Sequence, residues 1–127
     1  MKFEPKDPPR AFLVGNAEKF EMHDCGNMRL EPDEQITFVT PGGAEYDIAR
    51  KSWGFYATPS LNGRLTQFGL RGVLVKNRGT GRFFVLLVET GAEALFERYC
   101  ADENLVIVVW LDSSAALEEL ERRGHAL

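Results

Sequence analysis

The sequence has no acidic side chain anywhere in residues 48–88. This stretch contains seven basic side chains, whereas residues 1–47 have a net charge of −5 and residues 89–127 a net charge of −6. A block of charges of one sign creates a positive potential around itself even when the whole protein is acidic, as here with a net charge of −4. We therefore expect an electropositive face, built from residues 50–82 within this stretch, that binds an anionic partner.

Cysteines and long apolar runs are also scarce. The two cysteines, Cys25 and Cys100, are typical of reduced thiols, because secreted disulfide frameworks have more pairs; a single disulfide between them is the alternative. The longest apolar run, residues 105–111, is far shorter than the about 18–20 residues that span a bilayer. The charged, proline-rich N-terminus lacks the apolar segment of a secretory signal. The sequence therefore predicts a cytoplasmic protein without a membrane segment.

Catalytic signatures with fixed spacing are absent as well. The chain has no nucleophile elbow, P-loop, dinucleotide fingerprint or paired zinc motif. His23, Asp24 and Cys25 are neighbouring residues of catalytic types, and an accessory enzyme that uses them together with Arg64 is one alternative function. A single His-x-Cys pattern supplies only two of the about four ligands of a structural zinc site, so no metal is predicted. No cofactor is predicted either.

Strand patterns dominate the first two thirds of the chain. Residues 18–22 alternate between apolar and polar, and turn formers follow at residues 23–27. Glycine-containing turns join two predicted hairpins, over residues 35–49 and 68–89, with a further strand at residues 52–58 and a loop at 58–66. Residues 85–88 are apolar on both faces, which predicts a central strand that is covered on both sides.

The last third of the chain predicts helix, strand and helix. Thr90 and Glu93 have the spacing of a capping box for a helix that runs to about Asp102. Residues 105–111 form a buried strand that adds one parallel pairing through a crossover, and Asp112 or Ser113 caps the last helix. Strands followed by helices indicate an α+β fold with a largely antiparallel sheet. We expect a flexible arm over residues 1–10 and a single globular domain over residues 11–127.

The basic stretch contains a candidate binding loop. Ser60, Asn62, Gly63 and Arg64 combine a hydroxyl, an amide, backbone N–H groups and a guanidinium, a set that can hold a phosphate or carboxylate. The interpretation without a ligand is that this loop is a simple turn and that the nearby aromatic residues belong to the core. The remaining residues assigned to the site would stack on the ligand or supply positive potential, and they are Trp53, Tyr56, Arg50, Lys51 and Arg71, with Lys76, Arg78 and Arg82 contributing charge.

The function predicted from these observations is a non-catalytic binding module. Its electropositive face, within residues 50–82, would hold an anionic small molecule or an acidic protein surface. Nucleic acid is a disfavoured partner, because the flanks are acidic and the sequence pI is about 5.2. Besides the accessory enzyme, a structural protein–protein interaction module is the other alternative, in which the segments of opposite charge pair within or between subunits.

Overall fold

The computed structural model describes residues 1–56 and 59–126. Ala57 and Thr58, which end the strand predicted at residues 52–58 and begin the predicted loop, lie outside the described residues. The described chain is α+β with three antiparallel sheets, which confirms the predicted fold class. In chain order its elements are β1 (Lys2–Val14), β2 (Phe20–Arg29), β3 (Gln35–Val39), β4 (Glu45–Lys51), β5 (Gly54–Tyr56), α1 (Arg64–Gln67), β6 (Leu70–Asn77), β7 (Phe83–Glu89), α2 (Glu93–Asp102), β8 (Leu105–Trp110) and α3 (Ser114–His125).

Contacts within the chain divide it into two compact units. Unit 1 consists of Met1–Thr37 and Asp47–Ala57, and unit 2 consists of Phe38–Tyr46 and Thr58–Leu127. The predicted β3–β4 hairpin is confirmed, and its turn belongs to unit 2. The sequence predicts one domain, since no shift in composition marks this division. The buried hydrophobic residues that the structure describes all lie in unit 2.

Unit 1 is built around a long antiparallel ribbon of β1 and β2. Residues 1–10, predicted to be a flexible arm, mostly belong to β1 instead. Cross-strand pairs such as Phe3 with Met28 and Phe12 with Met22 place apolar side chains opposite each other, which stabilises a ribbon. The register shifts between Pro5 and Arg10, so the prolines of this stretch lie where the ladder is irregular. The turn predicted at residues 23–27 is likewise part of continuous strand β2.

Unit 2 contains a three-stranded antiparallel sheet in the order β7-β6-β8. The predicted β6–β7 hairpin is confirmed, with Leu70 opposite Glu89 at one end and Lys76 opposite Phe83 at the other. The central strand is β6, so the prediction that β7 is central was wrong. The predicted parallel pairing was also wrong, because α2 returns the chain across β6 and β8 pairs antiparallel with β6.

The core of unit 2 lies on both faces of β6. On one face Val73 and Val75 pack with Val88, Phe96 and Trp110, and α2 supplies Phe96 to this cluster. On the other face a second cluster of buried residues is formed by Leu65 of the short helix α1 with Ala44 and Leu70. The sequence did not predict α1, since it predicted a loop through most of these residues.

The helix caps differ in part from those predicted. Thr90 does not cap α2, whose N-cap is Ala92 without a side-chain hydrogen bond. The Glu93 carboxylate instead accepts a hydrogen bond of 2.6 Å from the Gly91 N–H. Ser113 caps α3 by accepting a hydrogen bond of 3.2 Å from the Ala116 N–H. The other predicted cap residue, Asp112, binds a guanidinium in the site described below.

Candidate functional site

The residues that the sequence assigns to an anion site divide between the two units. Arg50, Lys51, Trp53 and Tyr56 belong to unit 1. Ser60, Asn62, Gly63, Arg64 and Arg71 belong to unit 2. The structure thus provides two separate groups of these residues, and each has its own local geometry.

The unit 1 group lies on β4, β5 and the turn between them. Lys51 donates to the Asp33 carboxylate with 2.5 Å between Nζ and Oδ1. The backbone N–H of Arg50 donates to the Glu34 carbonyl oxygen at 2.9 Å. The Trp53 and Tyr56 side chains are exposed, so they remain available for stacking on a partner. The cationic group of Lys51, by contrast, already has a carboxylate partner.

The 60–64 segment is a turn that uses its own hydrogen-bonding groups. Ser60 Oγ accepts from the Arg64 N–H at 2.8 Å, and the Ser60 carbonyl oxygen accepts from Gly63 at 3.3 Å and Leu65 at 3.1 Å. Asn62 donates its side-chain amide to Ser114 Oγ at 3.1 Å. The backbone N–H groups that could have cradled an anion thus donate to Ser60. This geometry favours the interpretation of the segment as a turn that leads into α1.

Arg71 lies at the centre of a paired cluster in unit 2. Its Nε donates to Asp112 Oδ2 at 2.7 Å, its Nη1 lies 3.3 Å from Glu93 Oε2, and its guanidinium carbon is 4.0 Å from the Trp110 ring centroid. The hydrogen bond that Arg71 donates to Asp112 raises the pKa of Arg71, and the same bond lowers the pKa of Asp112. Two carboxylates and an aromatic ring surround the guanidinium, which indicates a structural role for Arg71.

His23, Asp24 and Cys25 lie on β2 of unit 1. Asp24 accepts a hydrogen bond of 2.6 Å from Lys6, and this bond, followed by one from the Gly26 N–H, lowers the pKa of Asp24. The Cys25 thiol lies 3.7 Å from the carbonyl oxygen of His23, and both side chains are exposed. The imidazole thus makes no contact with the thiol that would activate it as a nucleophile. Within residues 1–56 and 59–126, no three His, Cys, Asp or Glu side chains are arranged to hold a metal ion.

The tip of the β6–β7 hairpin combines basic and exposed apolar side chains. Asn77 orders the turn, because its side-chain oxygen accepts from the N–H groups of Gly79 at 2.9 Å and Thr80 at 3.0 Å. Gly81, at φ +73°, adopts the left-handed conformation that returns the chain to β7. Lys76, Arg78 and Arg82 lie around this turn, and Lys76 Nζ is 5.3 Å from the Phe83 ring centroid.

Strand β7 is an edge strand with three consecutive exposed apolar side chains. Phe83, Phe84 and Val85 are 57%, 45% and 60% exposed. The register of β7 against β6 is continuous, without the bulge that β8 has on the other edge of the sheet. A long, regular and apolar edge strand presents unpaired backbone groups on which another strand can pair.

The hydrogen-bond ladder determines which backbone groups of β7 face outward. The backbone N–H of Asn77 donates to the Arg82 carbonyl oxygen at 2.8 Å, so Asn77 and Arg82 form a hydrogen-bonded pair of the ladder. Hydrogen-bonded and non-hydrogen-bonded pairs alternate along an antiparallel ladder. The N–H and C=O groups of Phe83, Val85 and Leu87 therefore point away from β6, toward the open edge.

The positive charge of the β6–β7 hairpin tip has no neighbouring carboxylate on β6 or β7 before Glu89, because residues 48–88 contain none. On the β8 side the tip adjoins the turn before β8, where the Arg78 N–H donates to the Asn104 carbonyl oxygen at 3.0 Å and Asp102 and Glu103 precede Asn104. A ligand at the β7 edge thus approaches Lys76 and Arg82 without passing these carboxylates.

Sequence reasoning missed Phe83, Phe84 and Val85 as candidate binding residues. It took the apolar run from Val85 to Val88 as the mark of a central strand. The signal that could have found them is the position of the run directly after the basic turn at residues 77–81. A strand that is apolar on both faces is either covered by neighbours or left open for a partner, and periodicity does not distinguish these cases.

Comparison of the chain with protein-family models, with curated proteins and with solved structures finds no match. In the part of the chain that the structure describes, no helix has both the length and the apolar character needed to cross a membrane.

Proposed function

We propose that the protein is a non-catalytic binding module that pairs the edge of β7 with an extended, acidic segment of another protein. The observation that carries the proposal is the open, regular edge of β7 with exposed Phe83, Phe84 and Val85, next to a hairpin tip where Lys76, Arg78 and Arg82 lie in or beside the turn. An acidic protein surface is one of the two partners that the sequence predicts, and the proposed binding surface shifts from residues 50–82 to residues 76–87.

Strand addition fits the chemistry of this edge. An added strand gains backbone hydrogen bonds to Phe83, Val85 and Leu87, while its side chains contact the apolar residues of β7. Main-chain pairing supplies affinity for any extended segment, and side chains that alternate between the two faces supply specificity. The partner segment therefore needs apolar residues at every second position.

The basic tip favours acidic residues in that segment. Lys76, Arg78 and Arg82 create a local positive potential, and exposed pairs of this kind contribute about 0.2–1 kcal/mol each. Charge of this type speeds association and excludes basic competitors more than it adds affinity. Binding should consequently weaken as salt rises from low to physiological concentration, where the screening length is about 8 Å.

A peptide titration followed by NMR tests the proposal. The probe is a synthetic peptide of about six to eight residues that alternates valine and glutamate, since this is the usual length of a strand. We expect shift changes confined to residues 76–87, and no binding of a matched peptide in which lysine replaces glutamate. Shift changes elsewhere in the chain, or equal binding of both peptides, would contradict the proposal.

A pair of variants at one position provides the control. Val85→Pro removes an outward N–H and leaves the β6 ladder intact, because proline is tolerated at a strand edge. Val85→Thr keeps the N–H and nearly the same shape. We expect Val85→Pro to abolish binding of the acidic peptide and Val85→Thr to retain it; equal binding by both variants would exclude strand addition at this edge.

A further inference from the structure

Unit 2 contains a cleft between the β3–β4 turn, the end of α1 and the end of β7. The cleft has a volume of about 370 Å³, and its walls include Gly42, Gly43, Phe68, Gly69, Glu89 and Thr90. Two backbone hydrogen bonds hold these walls together: the Glu45 N–H donates to the Phe68 carbonyl oxygen at 3.1 Å, and the Thr90 N–H donates to the Gly69 carbonyl oxygen at 2.9 Å. All three segments belong to unit 2, so the cleft is built within one unit.

The half-buried carboxylate of Glu89 is the one charged group that the described residues place in the walls of the cleft. Its Oε1 accepts a hydrogen bond from the Thr40 hydroxyl group. The backbone of the β3–β4 turn approaches this carboxylate closely, because a Cβ on Gly42 would lie 3.1 Å from Oε1 and 3.8 Å from Oε2. Glycine at position 42 therefore leaves the carboxylate open to the cleft.

Among residues 1–56 and 59–126, no basic side chain forms an ion pair with Glu89. Asp112 of the same unit, by comparison, pairs with Arg71 at 2.7 Å. The Arg64 guanidinium stacks on Phe68, with its carbon 4.5 Å from the ring centroid, instead of pairing with Glu89. The basic hairpin tip lies at the other end of β7, about 20 Å away, which exceeds the screening length of about 8 Å. The negative charge in the cleft thus has no counter-charge from the described chain.

The polar groups of the cleft favour a compact cation. A guanidinium prefers to bind both oxygens of a carboxylate in a fork, and the Thr40 hydroxyl group already engages Oε1 of Glu89. An ammonium group is a point charge with three donors, which needs one carboxylate oxygen and can also use the side-chain oxygens that Gln67 and Thr90 add to the walls. A divalent metal would need several oxygen ligands, whereas Glu89 is the one carboxylate that the described residues contribute. We propose that this cleft binds a primary ammonium group.

Titration of the full chain with butylamine, followed by NMR at pH 7 and constant ionic strength, tests this site. Butylamine is protonated at this pH, as a lysine side chain is. We expect saturable shift changes at Gly42, Gly43 and Glu89, and a dissociation constant at least about tenfold higher for the neutral butan-1-ol. Nα-acetyl-lysine amide forms a second arm: tighter binding than butylamine would assign the ammonium group to a protein side chain, and weaker binding would assign it to a free amine. Binding of butan-1-ol as tight as that of butylamine, or tighter binding of butylguanidine, would overturn the proposal.

Three variants separate this site from general attraction of a cation to an acidic protein. Glu89→Gln removes the charge but still accepts the bond from Thr40, so the dissociation constant of butylamine should rise at least about tenfold. Gly42→Ala should also weaken binding, because the added Cβ would lie 3.1 Å from Oε1 of Glu89. Glu97→Gln, at an exposed position of α2, is the matched control and should leave binding unchanged. Equal affinity of wild type and Glu89→Gln would overturn the proposal.

The ammonium cleft and the β7 edge can fail independently. The acidic peptide should shift residues 76–87, whereas butylamine should shift Gly42, Gly43 and Glu89. Glu89→Gln should therefore bind the acidic peptide as the wild type does while it loses affinity for butylamine. Loss of affinity for both ligands in this variant would contradict a separate ammonium site.

Discussion

Replacement of Arg71 by methionine is the substitution in unit 2 whose effect can be worked out most fully. Methionine keeps most of the aliphatic length of arginine but removes the guanidinium. The variant loses the hydrogen bond to Asp112 at 2.7 Å, the contact with Glu93 and the stacking on Trp110 at 4.0 Å. It also leaves Asp112, whose side chain is 17% exposed, without its cationic partner.

These lost interactions determine how far the free energy of unfolding should fall. A hydrogen bond between charged groups contributes about 1.5–3 kcal/mol, and a cation–π contact about 0.5–1 kcal/mol. The full cost of breaking a buried ion pair, about 3–5 kcal/mol, does not apply because the pair is only partly buried. We expect the free energy of unfolding of unit 2 to fall by about 3 kcal/mol, which corresponds to about 12–24 °C in unfolding temperature for a unit of this size.

Trp110 provides an assay specific to this cluster. The other tryptophan, Trp53, lies in unit 1. When Trp53 is replaced by phenylalanine, tryptophan emission comes from Trp110 in unit 2 alone. Thermal unfolding of this Trp53→Phe protein is then compared with and without Arg71→Met. Arg78→Met, which removes a guanidinium from the exposed hairpin tip, is the matched control and should change stability by less than about 0.5 kcal/mol.

The effect of Arg71→Met should also depend on pH. Because the hydrogen bond from Arg71 lowers the pKa of Asp112, the stabilisation is present above the ordinary aspartate pKa of 3.8 and is lost as pH falls through the lower pKa of the folded state. The stability difference should therefore be constant from about pH 5 to 7 and shrink below about pH 4. An unchanged unfolding temperature, or a difference that persists undiminished at low pH, would refute the structural role of the pair.

Three other predictions concern packing, backbone and thiols. Leu65→Ala empties a fully buried position and should lower the free energy of unfolding by about 2–5 kcal/mol in a denaturant titration; a loss below about 1 kcal/mol would contradict its place in the core. Gly26→Ala should disrupt the β1–β2 ribbon, because Gly26 has φ +147° and the added Cβ would lie 2.3 Å from the Glu4 carbonyl oxygen. Circular dichroism and NMR would detect this loss, and an unchanged ribbon would contradict the close approach of the two strands. Cys25 should react quickly with a thiol reagent and Cys100 slowly, because Cys100 is buried and its burial raises the thiol pKa; equal rates by mass spectrometry would contradict this.

Local sequence signals predicted much of unit 2. The β6–β7 hairpin and the turn of the β3–β4 hairpin follow from glycine-containing turns between apolar runs, and the helix after Ser113 follows from its cap and apolar spacing. Strand order did not follow, because it depends on where α2 returns the chain. Both flanking strands, β7 and β8, are apolar enough to have been central, and β6 is central although it contains Arg71 and Lys76.

The β1–β2 ribbon shows why strand β1 was not predicted from the sequence. Its prolines and charged residues are typical of a flexible segment, but Phe3 and Phe12 find partners in Met28 and Met22 across the ribbon. Such pairings join residues far apart in the sequence, and no window of local composition contains them. The shift in register between Pro5 and Arg10 then accommodates the prolines that made the segment look unstructured.

The candidate site was predictable in its charge but not in its geometry. The absence of carboxylates from residues 48–88 marks the part of the sequence that is richest in basic side chains, including Arg78 and Arg82 at the hairpin tip. It does not reveal that Arg71 pairs with Asp112 and Glu93, because these carboxylates come from other elements. It also does not reveal that Ser60 accepts hydrogen bonds from the backbone N–H groups of its own turn.

Amide hydrogen exchange along β7 tests the central claim most directly. If β7 is an open edge, the amides of Val85 and Leu87 exchange rapidly in the protein alone, whereas those of Phe84 and Leu86 are protected by their bonds to β6. Addition of the alternating valine–glutamate peptide should then protect Val85 and Leu87. Equal protection of all four amides in the protein alone would contradict the account, because it would mean that the edge of β7 is already paired.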